Sequence, residues 1–174
     1  MDLLQTLSEL IEFRSFSNLW FWIALAALWS GLSHRILGVP HDMVLRARRR
    51  GGQHASDLQD LARIHINRMI YVSQSAGVWL LAGSCFVLSA LATLGFVLGV
   101  EFAQAVFLLM FPFALVRLVN LFAAYRAAER DYGFEELCSL ILYCRTIIQV
   151  LGVVFIFVTA LWGMFQNLSI GALG

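Results

Sequence analysis

The sequence predicts an all-α integral membrane protein: a bundle of four transmembrane helices over residues 18–174, preceded by an interfacial amphipathic helix over 1–17. Three observations predict it. Hydrophobic residues make up 60% of the chain and charged ones 13%, with a mean hydropathy of +0.80, which excludes the mixed surface of a soluble domain. Apolar stretches that meet the requirement of about 20 residues per crossing helix lie at about 18 to 37, 69 to 98, 102 to 125 and 140 to 165. The longest polar connection, about 38 to 68, leaves no room for a separate soluble domain, so the spans are expected to form one compact bundle.

The first residues, M-D-L-L-Q-T-L-S-E-L-I-E-F-R, open with acids where a signal peptide would be basic, and they lack a small-residue cleavage site. The segment is expected to stay on the protein. Leu3, Leu4, Leu7, Leu10 and Ile11 share one helical face, with Asp2, Gln5, Ser8, Glu9 and Glu12 opposite, the pattern of a helix lying in the membrane surface. Trp20 and Trp22 at the start of the first span and Trp162 near the end of the last fit aromatic interface belts.

Orientation follows from arginine, because the chain has twelve Arg and no Lys. Arg46, Arg48, Arg49, Arg50, Arg63 and Arg68 crowd the first connection, whereas the turn at Gly99, Val100 and Glu101 has no positive residue. The positive-inside bias therefore predicts both termini outside the cytoplasm. The connection Tyr125 to Leu137 is mixed, with Arg126 and Arg130 against Glu129, Asp131, Glu135 and Glu136. A net charge of +1 gives no general attraction for nucleic acid, and the run Arg48 to Arg50 suits anionic lipid head groups.

Cys138 and Cys144, six positions apart on a helix, are separated by about 9 Å of rise, beyond the ~7 Å limit for a disulfide, and should be free thiols. Cys85 reads as a small packing residue. His34, His41, His54 and His65 follow no metal-ligand spacing and no haem-attachment pattern occurs, so neither metal nor haem is expected. R-R-R-G-G ends the first arginine-rich segment.

The second span is expected to begin in the polar connection, with Ser56 as cap and Gln59 completing a capping box. At 100° per residue, Arg63, Asn67, Ile70, Tyr71 and Gln74 then share one face and His65 points away. Taken alone, such a stripe also fits an Arg that snorkels to phosphate and an Asn bonded to a neighbouring helix. On the third span Arg117, Asn120 and Ala124 form a second line that ends at Tyr125 and Arg126, and Arg117 lies two turns inside. No Asp or Glu occurs in the apolar part of any span to neutralise Arg117 or Arg145, so either the loop acids fold back or the charge awaits an anion. Arg clamps carboxylates bidentately, and together these groups read as a pocket for a small peptide-like anion.

The order of features resembles the membrane-associated proteins in eicosanoid and glutathione metabolism (MAPEG). The resemblance rests on a first helix ending in R-A-R-R-R, R-x-x-x-N-x-x-x-Y opening the second, a tight turn, and V-R-L-V-N-L-F-A-A-Y-R ending the third, and it covers about residues 18 to 165. It implies a homotrimer with a glutathione site between subunits, lined in the family by R-x-x-x-N-x-x-E-Y. Arg63, Asn67 and Tyr71 match, His65 stands where relatives often have Gln or His, and Ile70 replaces the family's Glu. Arg117 matches an internal Arg, while Asn120 and Ala124 replace expected tyrosines and Tyr125 is one residue out of register. By the same resemblance Arg48 or Arg49 activates the thiol, and Arg63, His65, Asn67, Tyr71 and Arg117 bind the cofactor glutathione, while the polar faces of the two spans add Gln74, Asn120, Tyr125 and Arg126 to the expected site. The implied activity is that of a glutathione transferase or peroxidase acting on lipophilic electrophiles, because a guanidinium beside sulfur favours the nucleophilic thiolate.

A second resemblance competes. E-F-R-S-F-S-N-L-W-F-W-I-A-L-A and G-V-P-H-D-M-V-L-R-A-R-R look like small bacterial inner-membrane proteins labelled as components of the Suf iron–sulfur assembly complex. It implies a non-catalytic accessory protein that docks a protein partner through Arg46 to Arg50 and the acidic 129 to 136 loop. A small membrane subunit of a transporter is a third alternative, which explains neither polar stripe. A bundle can keep a fold without its activity, so the first two readings can coexist. Gly95 and Gly99, with Gly77, Gly83 and Ser84, permit close helix contact but do not count subunits.

Overall fold

The computed structural model describes Phe16, residues 19–130 and residues 132–171. The expected amphipathic helix over 1–17 falls, apart from Phe16, outside the described residues. The described chain is almost wholly helical: α1 (Leu19–His34), α2 (His41–Arg50), α3 (Gln53–Ala92), α4 (Glu101–Arg130) and α5 (Phe134–Gly171), with a hairpin of β1 (Arg35–Ile36) and β2 (Val39–Pro40) between α1 and α2.

Three of the four expected spans, α3, α4 and α5, are helices long and apolar enough to cross a membrane, which makes this a multi-pass membrane protein. The 16 residues of α1 cover about 24 Å, short of the ~30 Å hydrocarbon core of a bilayer. The chain does not continue from α1 into R-A-R-R-R as one helix. It breaks at the hairpin and starts again as α2, whose buried Val44 and Ala47 hold it against the bundle while Arg48, Arg49 and Arg50 stay exposed.

Gly51 and Gly52, at φ 60° and 54°, end α2 in a conformation open to glycine and closed to most side chains. The next helix then starts at once. The main-chain N–H groups of Ala55 and Ser56 already bond to Gly52 O at 3.1 and 3.3 Å, and Ser56 Oγ donates to Gln53 O at 2.9 Å. Ser56 is therefore inside α3, and the expected capping box with Gln59 does not form because the helix is capped four residues earlier, at Gly52.

Leu58, Ala62 and Ile66, four apart, are the buried face of α3. Beyond Ile66 the helix loses its cover: only 6% of its apolar window is buried, against 22% in α4 and in α5. Cys85 lies on this uncovered part and is exposed, whereas Cys138 and Cys144 on α5 are buried free thiols.

At the end of the bundle away from the arginine run, α3 widens into a π-type turn over Thr93–Val97, and Gly99 at φ 73° reverses the chain. The turn brings Gly95 onto α4 so closely that a Cβ there would stand 2.8 Å from the Gln104 nitrogen. Gln104 is 4% exposed and fully engaged: Nε2 donates to Gly95 O at 2.8 Å, and Oε1 accepts from Trp162 Nε1 at 3.0 Å and from Gln166 Nε2. One buried amide thus ties α3, α4 and α5 together. Trp22 Nε1 donates to Phe16 O at 3.2 Å, and Trp20 packs near Phe102, so the tryptophans gather at this end as an interface belt requires. Phe21, Leu25 and Trp29 bury α1, and the Trp29 ring lies on Gly152 of α5, where a Cβ would meet it at 3.0 Å.

The hairpin is clamped from two sides. Leu37 and Gly38, at φ 52° and 77°, both occupy the left-handed region, as a type I′ turn requires. Leu37 is buried, and its N–H donates to Asn120 Oδ1 on α4 at 3.0 Å. Gly38 sits against the ring of His65 on α3, with no space for a Cβ between them.

Candidate functional site

Arg63, Asn67, Tyr71 and Gln74 stand on one flank of α3, beside the buried line of Leu58, Ala62 and Ile66, and all four are exposed. From Arg63 to Gln74 they cover about 16 Å of the helix and reach six residues into its charge-free run, which begins after Arg68. Arg63 Nη2 donates to Asp60 Oδ1 at 2.8 Å, an exposed pair one turn apart. Such exposed pairs contribute about 0.3–0.5 kcal/mol, so the Asp60 contact holds Arg63 only weakly. Asn67, Tyr71 and Gln74 have no hydrogen-bond partner among the described residues.

The other expected site residues divide. His65 does point away from the stripe, half-buried against the hairpin. Ile70, at the place of the family's Glu, is half-buried and packs against the core. Arg117 is exposed on α4. Asn120 turns its amide to the hairpin, and its Nδ2 donates to Val116 O at 3.0 Å, so both ends of the side chain are engaged in the fold. Tyr125 OH lies 3.2 Å from Ser73 Oγ and links α4 to α3 near the stripe. Arg126 turns toward the connection into α5, where its Nε donates to Tyr132 OH at 3.2 Å. Arg48 is close enough to the Cys138 thiol on α5 to act on it electrostatically. Within one chain, Arg48 and Arg126 are thus drawn toward α5, while the stripe stands on a flank of α3.

The structure adds two features to the sequence reading. A groove of about 740 Å³ runs between α4 and α5, with Phe122, Arg126, Tyr132, Glu135, Glu136 and Tyr143 among its walls, so part of the acidic loop lines a cleft next to Arg126 without forming an ion pair with it. The second is a pair of buried, unpartnered nitrogens, Arg145 Nη1 on α5 and His41 Nδ1 at the start of α2. Burial and the nearby Arg145 charge hold the His41 pKa below its usual 6.5, against the opposing pull of Asp42. The sequence signal for this pair is position: no charged residue follows Arg145 to the end of the chain.

Among the described residues no group of three or more His, Cys, Asp or Glu side chains is placed to hold a metal ion. The two ion pairs among them, Arg46 with Asp42 at 3.3 Å and Arg63 with Asp60, are exposed and each lies within one helix, so among the described acids Glu129, Glu135 and Glu136 form no ion pair with Arg117 or Arg145. No protein-family model, curated protein or solved structure matches this chain.

Proposed function

We propose that this chain is a protein of the bacterial inner membrane in which the short apolar α1 joins α3, α4 and α5 as a fourth span, with both termini outside the cytoplasm, and that it holds a small peptide-like anionic thiol of the glutathione type on the α3 stripe. Arg63 takes a carboxylate, and Asn67, Tyr71 and Gln74 bond the peptide groups. The observation that carries this reading is the joint exposure of these four side chains at the start of an apolar span, where lipid offers few hydrogen-bond partners. The uncovered apolar half of α3 supplies the surface for a second copy, and the MAPEG resemblance suggests a homotrimer. A neighbouring copy then contributes the groups that one chain keeps apart from its own stripe, with Arg48 or Arg49 beside the sulfur as thiolate stabiliser. The activated thiolate attacks a lipophilic electrophile or reduces a peroxide. Exposed Arg48, Arg49 and Arg50 also contact anionic head groups.

The packing of Ile70 into the core favours a second reading, a non-catalytic accessory protein that retains the bundle and docks a protein partner, in line with the iron–sulfur-assembly resemblance. The two are separated by following thiolate absorbance and conjugation of a lipophilic electrophile when glutathione is added to the purified protein. The first reading expects both signals, and their loss in Arg48→Ala combined with Arg49→Ala. Absence of both signals in the wild type leaves the accessory reading.

A further inference from the structure

We propose that Arg145 and His41, with His34 beside them, form a seat for one phosphate oxyanion where α1, α2 and α5 meet. The seat is separate from the α3 stripe, and its residues take no part in the function proposed above.

The first argument is the state of the nitrogens. Arg145 Nη1 and His41 Nδ1 are shut off from solvent and have no hydrogen-bond partner. A guanidinium nitrogen in that position is costly unless an anion answers it. No ion pair to Arg145 occurs among the described residues, and Asp42, the acid next to His41, is exposed and paired with Arg46 at 3.3 Å. Each of the two side chains as a whole is only half-buried, which leaves an approach for a ligand.

The second argument is level. Trp29 of α1 lies on Gly152 of α5. Five residues further along α1 comes His34, and seven residues back along α5 comes Arg145, so both move toward the arginine-rich end by about 7 to 10 Å. His41 follows His34 after the hairpin and feels the charges of both Arg145 and His34. From Thr146 to Leu168 the helix has 23 residues without charge, about 35 Å, enough for the ~30 Å hydrocarbon core. Arg145 therefore stands at the edge of the hydrocarbon, where phospholipid phosphates lie.

The third argument is the local backbone. His41 is the first residue of α2, and the Pro40 cap provides no side-chain acceptor for the free N–H groups of the first turn. Those groups and the helix dipole favour an anion beside His41. The buried left-handed Leu37 just before it is a strained conformation that the Asn120 bond holds in place, and such strain is concentrated at ligand clamps.

The test uses the full chain, delipidated in a maltoside detergent, with its unfolding midpoint followed in two titrations. One adds inorganic phosphate against chloride at equal ionic strength. The other adds phosphatidylglycerol against diacylglycerol, which has the same tails and no phosphate. A saturable rise with either phosphate compound, with about tenfold or greater weakening in Arg145→Gln and in His41→Ala, supports the seat. A rise with inorganic phosphate assigns it to a soluble ligand, and a rise with the lipid alone assigns it to a head group. Arg63→Ala must keep the full response, which separates this seat from the α3 stripe. Should Arg145→Gln not fold, Arg145→Lys and His41→Ala carry the comparison. No rise with either phosphate compound overturns the proposal, as does a rise that the folded variants retain in full.

Discussion

Asn120 Oδ1 on α4 accepts the main-chain N–H of Leu37 at 3.0 Å, and this one bond fixes a left-handed, buried leucine in the hairpin between α1 and α2. The hairpin in turn sets where α2 begins and hence where His41 lies. An amide that the sequence suggested for ligand binding is committed to the backbone.

Replacing Asn120 with Ala leaves the Leu37 N–H with no acceptor in a buried turn. The expected cost is about 1–3 kcal/mol. Urea or thermal unfolding of the purified protein in detergent measures it, and an unchanged midpoint would mean that the hairpin is held by other contacts.

Gly38→Ala should destabilise the protein for two separable reasons. At φ 77° the new side chain is strained, and its Cβ falls on the His65 ring. Adding His65→Ala removes the collision and leaves the backbone strain of about 1–2 kcal/mol. Unfolding of the single and double variants should therefore show partial rescue, and strictly additive losses would count against the contact.

Gln104→Leu removes the acceptor of Trp162 Nε1 and the donor to Gly95 O, in a site 4% exposed. A loss of about 1–3 kcal/mol in unfolding is expected. Gly95→Ala should also destabilise, because its Cβ would press on the Gln104 backbone rather than on a movable side-chain tip.

His41 gives the chain a pH dependence of defined sign. Burial and Arg145 lower its pKa in the folded state from 6.5, while Asp42 opposes them and His34 adds to them. The unfolded chain therefore takes up the proton first. The stability linked to His41 is complete above 6.5 and falls as pH drops through 6.5 toward the lowered folded value. Unfolding midpoints of wild type and His41→Gln against pH should diverge on the acid side, and parallel curves would refute the assignment.

Much of the fold was legible because lipid imposes a simple rule: charge-free runs became α3, α4 and α5, and the turn at Gly99 fell where the pattern placed it. The hairpin was not legible, since nothing in L-G-V-P announces a leucine in the left-handed region, which side-chain sterics disfavour and only tertiary contacts impose. The helical geometry of the stripe was readable, and its four polar members did emerge together on one exposed flank. The partners of each polar group were not, because an Asn can bond a ligand or a backbone with the same atoms. Asn120 chose the hairpin, Arg126 chose Tyr132, and Arg145, which the sequence left without an acid, keeps an unpartnered nitrogen.

The central claim is that the α3 stripe is an anion site, and calorimetric titration of glutathione into the purified protein in detergent tests it most directly. The account predicts saturable binding to the wild type, weakened about tenfold or more in Arg63→Ala and in Asn67→Ala. Absence of binding at millimolar glutathione, or equal binding by the wild type and both variants, would contradict it.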